Sequence, residues 1–500
     1  MSTHVVTCFL RHGTDVLLTR RSGEVGTYTG RWAGVSGYVE DLADGEPVDA
    51  FVDARREVRE ETGLSVDEDD LARAGDPLTV HDADADRDWT VHPFLFDVGT
   101  REVAPNEELA AVEWIQPPAI LDRETVPGLW AAYERVAPTV ETVRGDAEHG
   151  SAYVSVRALE ALRDRAAAVA AGVASGPGDD TGRDVAIGDS GADATDHRQS
   201  DGEDGWSAVA ATGRALRDAR PSMAAVANRV NRVLADADRT PVGVRDRATE
   251  AVAAALRADE AAATNAADRL ASGDVDSVAT LSRSGTVLAA LREARPTVLV
   301  GESRPAREGV AVAETLAADG IDATLTTDAA LPALLGGPAA APDPGRGRDG
   351  PKTETGTGDL PAPDAEPADA GTADGKPADG PAVDAVLVGA DAVLADGSVV
   401  NKAGTRALAL AAAHEGVPTY VAAARDKVRP DEVVHGESGD VTAVYDGDEP
   451  VRVACPTFDR TPADLIDGVV TEDGVLDAAA VREVAAGLRR AAGWDRARNG

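Results

Sequence analysis

Residues 56–64 read Arg-Glu-Val-Arg-Glu-Glu-Thr-Gly-Leu (REVREETGL). The spacing predicts a helix over 49–63, ended by Gly63, with Leu64 opening the next strand. Glu57, Glu60 and Glu61 stand at i, i+3 and i+4, so a helix carries all three carboxylates on one face. Bunched negative charge costs stability unless a cation neutralises it, and hard oxygen donors in that number suit Mg²⁺ or Mn²⁺. A divalent ion there would polarise a diphosphate and help generate a hydroxide nucleophile. Taken alone, the three glutamates fit a solvated acidic helix face equally well.

Outward from this helix, residues 4–20 alternate as a strand, a Gly13-Thr14 turn and a second strand (HVVTCFL, then DVLLTR). Residues 91–98 (VHPFLFDV) and 112–115 read as strands, and 131–143 opens a helical stretch, so a first domain ends near 135. REVREETGL matches, residue for residue, the second half of the Nudix box, and WAGVSGYVE (32–40) resembles the glycine-bearing strand and loop that open the box. Residues 1–135 therefore resemble a Nudix hydrolase. The resemblance implies an α/β/α sandwich and Mg²⁺-dependent (or Mn²⁺-dependent) hydrolysis of a nucleoside diphosphate linked to another moiety. Carried over, Glu57, Glu60 and Glu61 are the metal set, Arg56 orients a glutamate, and the Gly37 region supplies a backbone oxygen near the metal. The spacing departs from the usual box. Gly37 to Arg56 is five residues longer, Val48 stands where an acid is usual, and Glu46, Asp49 or Asp53 are candidates to replace it. Arg20, Arg21, Tyr28 and Trp32 are candidates for phosphate or base contacts, with surface or core roles as the alternative.

From 138 to 295 the pattern is mostly helical. From 297 strands and helices alternate: strand 297–300, helix 306–318, strand 323–326, strand 385–388, helix 407–414, strand 419–422. Strands spaced by single helices predict a parallel sheet. Polar motifs follow the strand ends. VLVGESRP (298–305) places Arg304, VLVGAD (386–391) places Asp391, and VVNKAGT (399–405) places Asn401 and Lys402 at a helix start. Ligands of open α/β sheets lie outside the carboxyl ends of the strands, where helix N-termini offer N–H groups to phosphate. Loop capping and surface ion pairs are the alternative. ESRP, GAD, NKAGT, FDRTPADLI (458–466) and VVTEDGVL (469–476) occur in that order. Residues 138–500 thereby resemble the initiation factor 2B alpha, beta and delta subunits and their sugar-phosphate isomerase relatives. The resemblance implies a helical part (138–174 and 206–296), a Rossmann-like part (297–500), a homo-oligomer, and a phosphorylated sugar or nucleotide ligand at Ser282, Arg304, Asp391, Asn401 and Lys402. The isomerases pair a cysteine with the aspartate matched by Asp391. Here TLSRSGT (280–286) puts Ser282 in the cysteine place, and serine is a far weaker acid. The second part thus reads as a binding or regulatory module. A sugar-phosphate isomerase with an accessory Nudix domain, and a non-enzymatic translation regulator, are the rival readings.

The chain has 500 residues, 88 acidic against 49 basic side chains and a net charge of −39, with only four lysines. That field argues against coating nucleic acid or anionic lipid, and leaves small phosphorylated ligands open. Two segments, 175–205 and 336–382, lack apolar periodicity and are predicted to be a disordered linker and a disordered insert. The acid extends well beyond them, in the manner of proteins of salt-loving archaea. Two cysteines, Cys8 and Cys455, cannot form a disulfide framework. Without a signal-peptide layout or a membrane-length apolar run, the expectation is a soluble cytoplasmic α/β protein.

Overall fold

The computed structural model describes residues 2–40, 49–82, 87–146, 148–173, 185–186, 200–336 and 383–498. The amino-terminal residues form β1 (Thr3–His12), β2 (Asp15–Arg21), β3 (Trp32–Ala33), β4 (Val35–Tyr38), α1 (Ala50–Thr62), β5 (Leu71–Ala74), β6 (Leu78–Asp82), β7 (Arg87–Asp97), β8 (Leu109–Ile115) and α2 (Leu129–Val136). Strand β1 is central. It pairs antiparallel with β2 and β4, and parallel with β7 from Thr3↔Trp89 to Arg11↔Asp97. Its alternation sorts two cores. Phe9 packs with Leu129, Trp130 and Tyr133 of α2. Cys8 and Leu10 pack with Ala50, Ala54 and Val58 of α1. The sheet thus lies between the two helices, an α/β/α sandwich. Helix α1 starts at Asp49, whose carboxylate accepts the Phe51 amide, and ends at Gly63, left-handed at φ 75°.

The helical stretch expected at 131–143 is broken. After α2, Pro138 interrupts the chain, and Thr139 caps α3 (Val140–Gly145) by exchanging hydrogen bonds with Thr142. Helices α4 (Ser151–Ala170), α5 (Ser200–Arg217), α6 (Ala224–Asp236) and α7 (Pro241–Ser272) follow. The first three, with the first half of α7, share a core around Leu159, Leu162, Leu216, Val230 and Val244. Between α4 and α5 lies β9 (Val185–Ala186), parallel to β6. The linker expected at 175–205 otherwise lies outside the described residues up to the start of α5, and the insert at 336–382 lies outside them after Gly336.

The chain divides into two compact units, Met1–Asp259 with Asp426–His435 and Arg482–Gly500, and Glu260–Arg425 with Gly436–Val481. The second contains β10 (Ser277–Leu281), α8 (Gly285–Ala294), β11 (Thr297–Gly301), α9 (Glu308–Ala318), β12 (Ala323–Thr326), β13 (Ala385–Val388), β14 (Ala392–Val393), β15 (Val399–Lys402), α10 (Thr405–Glu415), β16 (Thr419–Ala422), β17 (Phe458–Thr461), β18 (Gly468–Thr471) and β19 (Gly474–Leu476). Its main sheet runs β12-β11-β10-β13-β16-β18-β19, parallel except for β19. The sheet begins twenty residues before the start expected at 297. Ser277–Leu281 is five buried residues between two alanine-rich helices, and a short fully buried strand has no period to distinguish it from helix. Among the described residues no helix is long and apolar enough to cross a membrane.

Residues 426–435 are fastened to α6 by buried polar contacts. Asn228 Nδ2 donates to the carbonyls of Asp426 and Val428, each at 2.7 Å. The Asp426 carboxylate takes Arg229 at 3.2 Å and also Arg232. Burial raises the Asp426 carboxyl, and the two arginines more than offset it, leaving it below its ordinary value. A carboxyl held low in the fold stabilises above its unfolded value, near 4, and loses that contribution as pH falls through the folded value. Asp426→Asn should cost about 3 kcal/mol at neutral pH, measured by denaturant unfolding. The gap from the native protein should narrow on acidification below about pH 4.

Candidate functional site

The three glutamates of α1 meet different surroundings. Glu61 is buried, Glu57 is half-buried, and Glu60 faces solvent. Strand β4 lies against the helix so closely that a Cβ on Gly37 would fall 2.0 Å from Glu57 Cδ. Arg56 Nη2 donates to Glu57 Oε1 at 3.0 Å, and its Nη1 donates to Asp53 Oδ1 at 2.6 Å. Asp53 also accepts the Glu40 amide at 3.1 Å. Of the acids proposed for the lengthened loop, Asp53 is thus a buried partner of Arg56, Asp49 caps α1, and Glu46 lies outside the described residues.

Glu61 is the electrostatic exception. Six carboxylates are buried among the described residues. Asp53, Glu160, Asp164 and Asp426 each pair with an arginine, and Asp82 accepts the Tyr28 hydroxyl. Glu61 has only the Ser36 amide, at 3.4 Å. Burial pushes its carboxyl up to about 8, opposed by that amide and, more weakly, by the charge of Arg21, and reinforced by Glu57 and Glu108. Glu57 is raised too, first by burial, against the pull of Arg56. The Cys8 thiol, buried beneath them, is held protonated by burial and by both carboxylates. No three His, Cys, Asp or Glu side chains converge to hold a metal among the described residues. The donor set nevertheless fits a hard divalent cation: two crowded carboxylates on one helix face, one held by Arg56 and lying directly against the Gly37 backbone.

A cavity of about 100 Å³ opens beside Ser36 and Gly37, walled by Arg21, Tyr28, Tyr38 and Trp89. Arg21 is held by the Thr27 carbonyl at 2.9 Å and Ser36 Oγ at 3.3 Å. Trp89 Nε1 donates to the Tyr28 hydroxyl at 2.9 Å, which donates to Asp82. Arg21 and Tyr28 are thereby at the cavity. Arg20 instead donates to the Gly30 carbonyl, and Trp32 lies under Arg123. Tyr38 and Trp89 were not legible as site residues: Tyr38 stands within WAGVSGYVE, where nothing local marks its ring for the cavity, and Trp89 lies outside the motif, although alternation along β7 places it inward.

In the second unit, the chain moves outward from β10 through β11 to β12, then from β13 through β16 to β18. The order reverses between β10 and β13, the switch point where open α/β sheets bind ligands. Ser282 follows β10 and Asp391 follows β13, so the topology brings them to one crevice mouth. Gly389 packs so tightly against α8 that a Cβ would meet Ser284 Oγ at 2.7 Å. Ser282 and Ser303 are both left-handed, at φ 68° and 64°. The Ser282 amide donates to Ser303 Oγ at 2.5 Å, and Asp328 accepts the amides of Ser303 and Arg304 at 2.7 and 2.6 Å.

The expected free N–H groups at the NKAGT helix start are otherwise engaged. The amides of Gly404 and Arg406 donate to the Asp459 carboxylate at 2.8 and 3.2 Å. Asp459, in the quoted FDRTPADLI, supplies the negative group that a helix start favours. Lys402 pairs with Glu308 at 2.6 Å, and Asn401 donates to Thr405 Oγ1 at 3.0 Å. Arg304 remains exposed, with no ion-pair partner among the described residues.

Comparison with known proteins places both halves. Residues 192–337 and 379–478 match the Initiation factor 2 subunit family, and residues 1–136 match the NUDIX domain. A protein of Haloferax volcanii named ribose 1,5-bisphosphate isomerase is 31% identical over 300 residues, covering 56% of this chain and 78% of that protein. The chain belongs to the Initiation factor 2 subunit family. This family member also carries a NUDIX domain. Another relative, a ribose 1,5-bisphosphate isomerase of Methanocaldococcus jannaschii, is 28% identical over 279 residues, covering 53% of this chain and 75% of its own. The methylthioribose-1-phosphate isomerase of Drosophila persimilis is 38% identical over 101 residues, only 28% of its length. A solved Pyrococcus horikoshii OT3 structure, titled translation initiation factor eIF-2B, aligns at a TM-score of 0.46 and 22% identity over 67% of this chain and 94% of that one. At that score it adds nothing to the assignment.

The Gly37–Glu57 contact is testable within this NUDIX domain. Gly37→Ala should cost about 1 kcal/mol by overpacking, read by thermal unfolding. The cost should largely vanish in a Glu57→Ala background, where the colliding carboxylate is gone.

Proposed function

We propose that the NUDIX domain is a divalent-metal-dependent hydrolase that cleaves a diphosphate linkage in a nucleotide derivative. The observation that carries this is Glu61, a buried carboxylate with no arginine hydrogen-bonded or ion-paired to it, whereas four of the other five carboxylates buried among the described residues pair with one. Bound Mg²⁺ or Mn²⁺ supplies Lewis acidity toward the diphosphate and lowers the pKa of a bound water. Glu57 and Glu61, with the Gly37 carbonyl, would hold the ion, and Glu60 would join them from the exposed side of α1. Arg56 fixes the Glu57 carboxylate. Arg21 presents a guanidinium already oriented by Thr27 and Ser36 for a phosphate. Tyr28, Tyr38 and Trp89 give the neighbouring cavity flat faces on which a base can stack. The test is turnover of a panel of nucleoside diphosphate derivatives with Mg²⁺. Glu61→Gln should lower kcat by about 100-fold or more, while Asp391→Asn leaves it unchanged. Normal turnover by folded Glu61→Gln protein would sink the proposal.

The second domain is proposed to bind a phosphorylated sugar or nucleotide at the switch-point crevice, with Ser282, Arg304, Asp391, Asn401 and Lys402 as its contacts. The names of its relatives favour a second reading, isomerisation of a sugar phosphate. Serine in place of the cysteine acid weighs against it, because an aliphatic hydroxyl does not ionise near neutral pH. NMR assay of ribose 1,5-bisphosphate should show no ketose product with the native chain, and Ser282→Cys should restore some conversion. Ketose formation by the native chain would establish the isomerase instead.

A further inference from the structure

Strand register builds the cavity beside Gly37. Val5 of β1 stands opposite Tyr38 of β4 on one side and Val91 of β7 on the other, and Thr3 stands opposite Trp89. Paired residues share a sheet face, as do residues two apart along a strand. The Tyr38 and Trp89 rings therefore rise on either side of β1, with Val5 as the floor between them. Their centroids lie 6.3 Å apart and their planes meet at 38°. Trp89 is buried and forms the fixed wall, whereas Tyr38 is 54% exposed and forms the wall that can give way to a ligand. Tyr28 closes a third side, its ring 6.2 Å from that of Trp89, and Val126, Leu129 and Ala132 add apolar surface. Aromatic residues make up only 3% of the chain, so three around one small cavity mark a seat for a flat ligand ring.

The same walls hold little that could read the edge of such a ring. Among the described residues no amide or carboxylate side chain lines the cavity. Ser36 Oγ and the Thr27 carbonyl are engaged by Arg21, whose guanidinium is assigned above to a phosphate. The Tyr28 hydroxyl accepts from Trp89 Nε1 at 2.9 Å and donates to Asp82 at 2.5 Å. The backbone around the slot is largely committed too. Strand β1 is paired on both sides from Val5 to Thr7. The Tyr38 carbonyl takes Arg56, the Val126 amide donates to the Trp32 carbonyl at 2.9 Å, and Pro127 has no N–H. A site built to hydrogen-bond a ligand rejects analogues by about 10⁴-fold or more, whereas an apolar pocket discriminates by about 10–200-fold. Stacking is tolerant, because every base has a π-face.

We infer that the slot holds the nucleotide base by stacking between Tyr38 and Trp89 without reading which base it is, so that the substrates form a class set by the diphosphate and any flat base. This rests on the hydrolase reading of the NUDIX domain, and binding tests it apart from turnover. The full chain with Mg²⁺ is titrated with the α,β-methylene analogues of ADP, GDP, CDP and UDP, whose bridging carbon resists cleavage, and with methylenediphosphonate as the base-free control. Hydrogen–deuterium exchange in peptides spanning 32–40 and 87–97 reads this slot separately from the second domain. The four analogues should protect those peptides with midpoints within about 100-fold of one another, and methylenediphosphonate should need about tenfold more. Tyr38→Ala should weaken all four about tenfold and leave methylenediphosphonate unchanged, while Tyr38→Phe keeps the native midpoints. A preference for one base beyond about 100-fold, weakened binding in Tyr38→Phe, unchanged binding in Tyr38→Ala, or no protection by any analogue would overturn the inference. If the analogues bind alike and no diphosphate derivative is turned over, the hydrolase reading fails while the tolerance of the slot stands.

Discussion

The largest side chain wholly buried among the described residues is a cation, Arg163. Its Nε donates to Asp164 at 2.7 Å, its Nη1 donates to Gln116, and the Tyr133 hydroxyl completes the set on Asp164 at 2.9 Å. This cluster fastens α4 onto the NUDIX domain, since Gln116 and Tyr133 belong to that domain and Arg163 and Asp164 to the helix. A guanidinium keeps its charge when buried and offers a planar fork of donors, which a lysine does not. A chain this acidic needs that property, and four of the six carboxylates buried among the described residues are accordingly handed to Arg56, Arg157, Arg163, Arg229 and Arg232. Against that habit, Glu61 stands out. There the fold supplies only the more distant charge of Arg21, and burial raises the carboxyl instead.

The second unit makes a different provision. The oxygens and amides of Ser282, Ser303, Arg304 and Asp328 are tied to one another at the ends of β10 and β11. The crevice mouth is thus shaped by backbone geometry, including two serines in a conformation that side chains seldom adopt. Lys402 and the α10 start are already matched with Glu308 and Asp459. Any anion arriving there competes with existing partners and meets Arg304, an exposed cation without an ion-pair partner among the described residues.

Much of this was legible in the sequence. REVREETGL announced α1, its glycine stop and its acidic face, because spacing on a helix fixes which side chains share a side. Environment was less legible. Glu57, Glu60 and Glu61 look alike in sequence, and only the approach of β4 decides that Glu61 is buried while Glu60 is solvated. Strand β10 escaped because five buried residues carry no period, although it is one of the two strands from which the parallel sheet grows outward. Asp459 was visible in a quoted motif, but its role at α10 depends on a pairing of β15 with β17 across more than fifty residues. Such long-range pairings leave no local trace.

The two thiols give the molecule a built-in means of reporting on itself. Cys8 and Cys455 are the only cysteines of the chain, both are buried and unpaired, and they fall in different compact units. Cys8 lies between the central strand and α1, where its environment keeps it protonated and unreactive. An alkylating reagent therefore reaches each thiol only when its own unit opens. Labelling rates at the two positions separate the breathing of the NUDIX sandwich from that of the parallel-sheet unit, with no engineered probe.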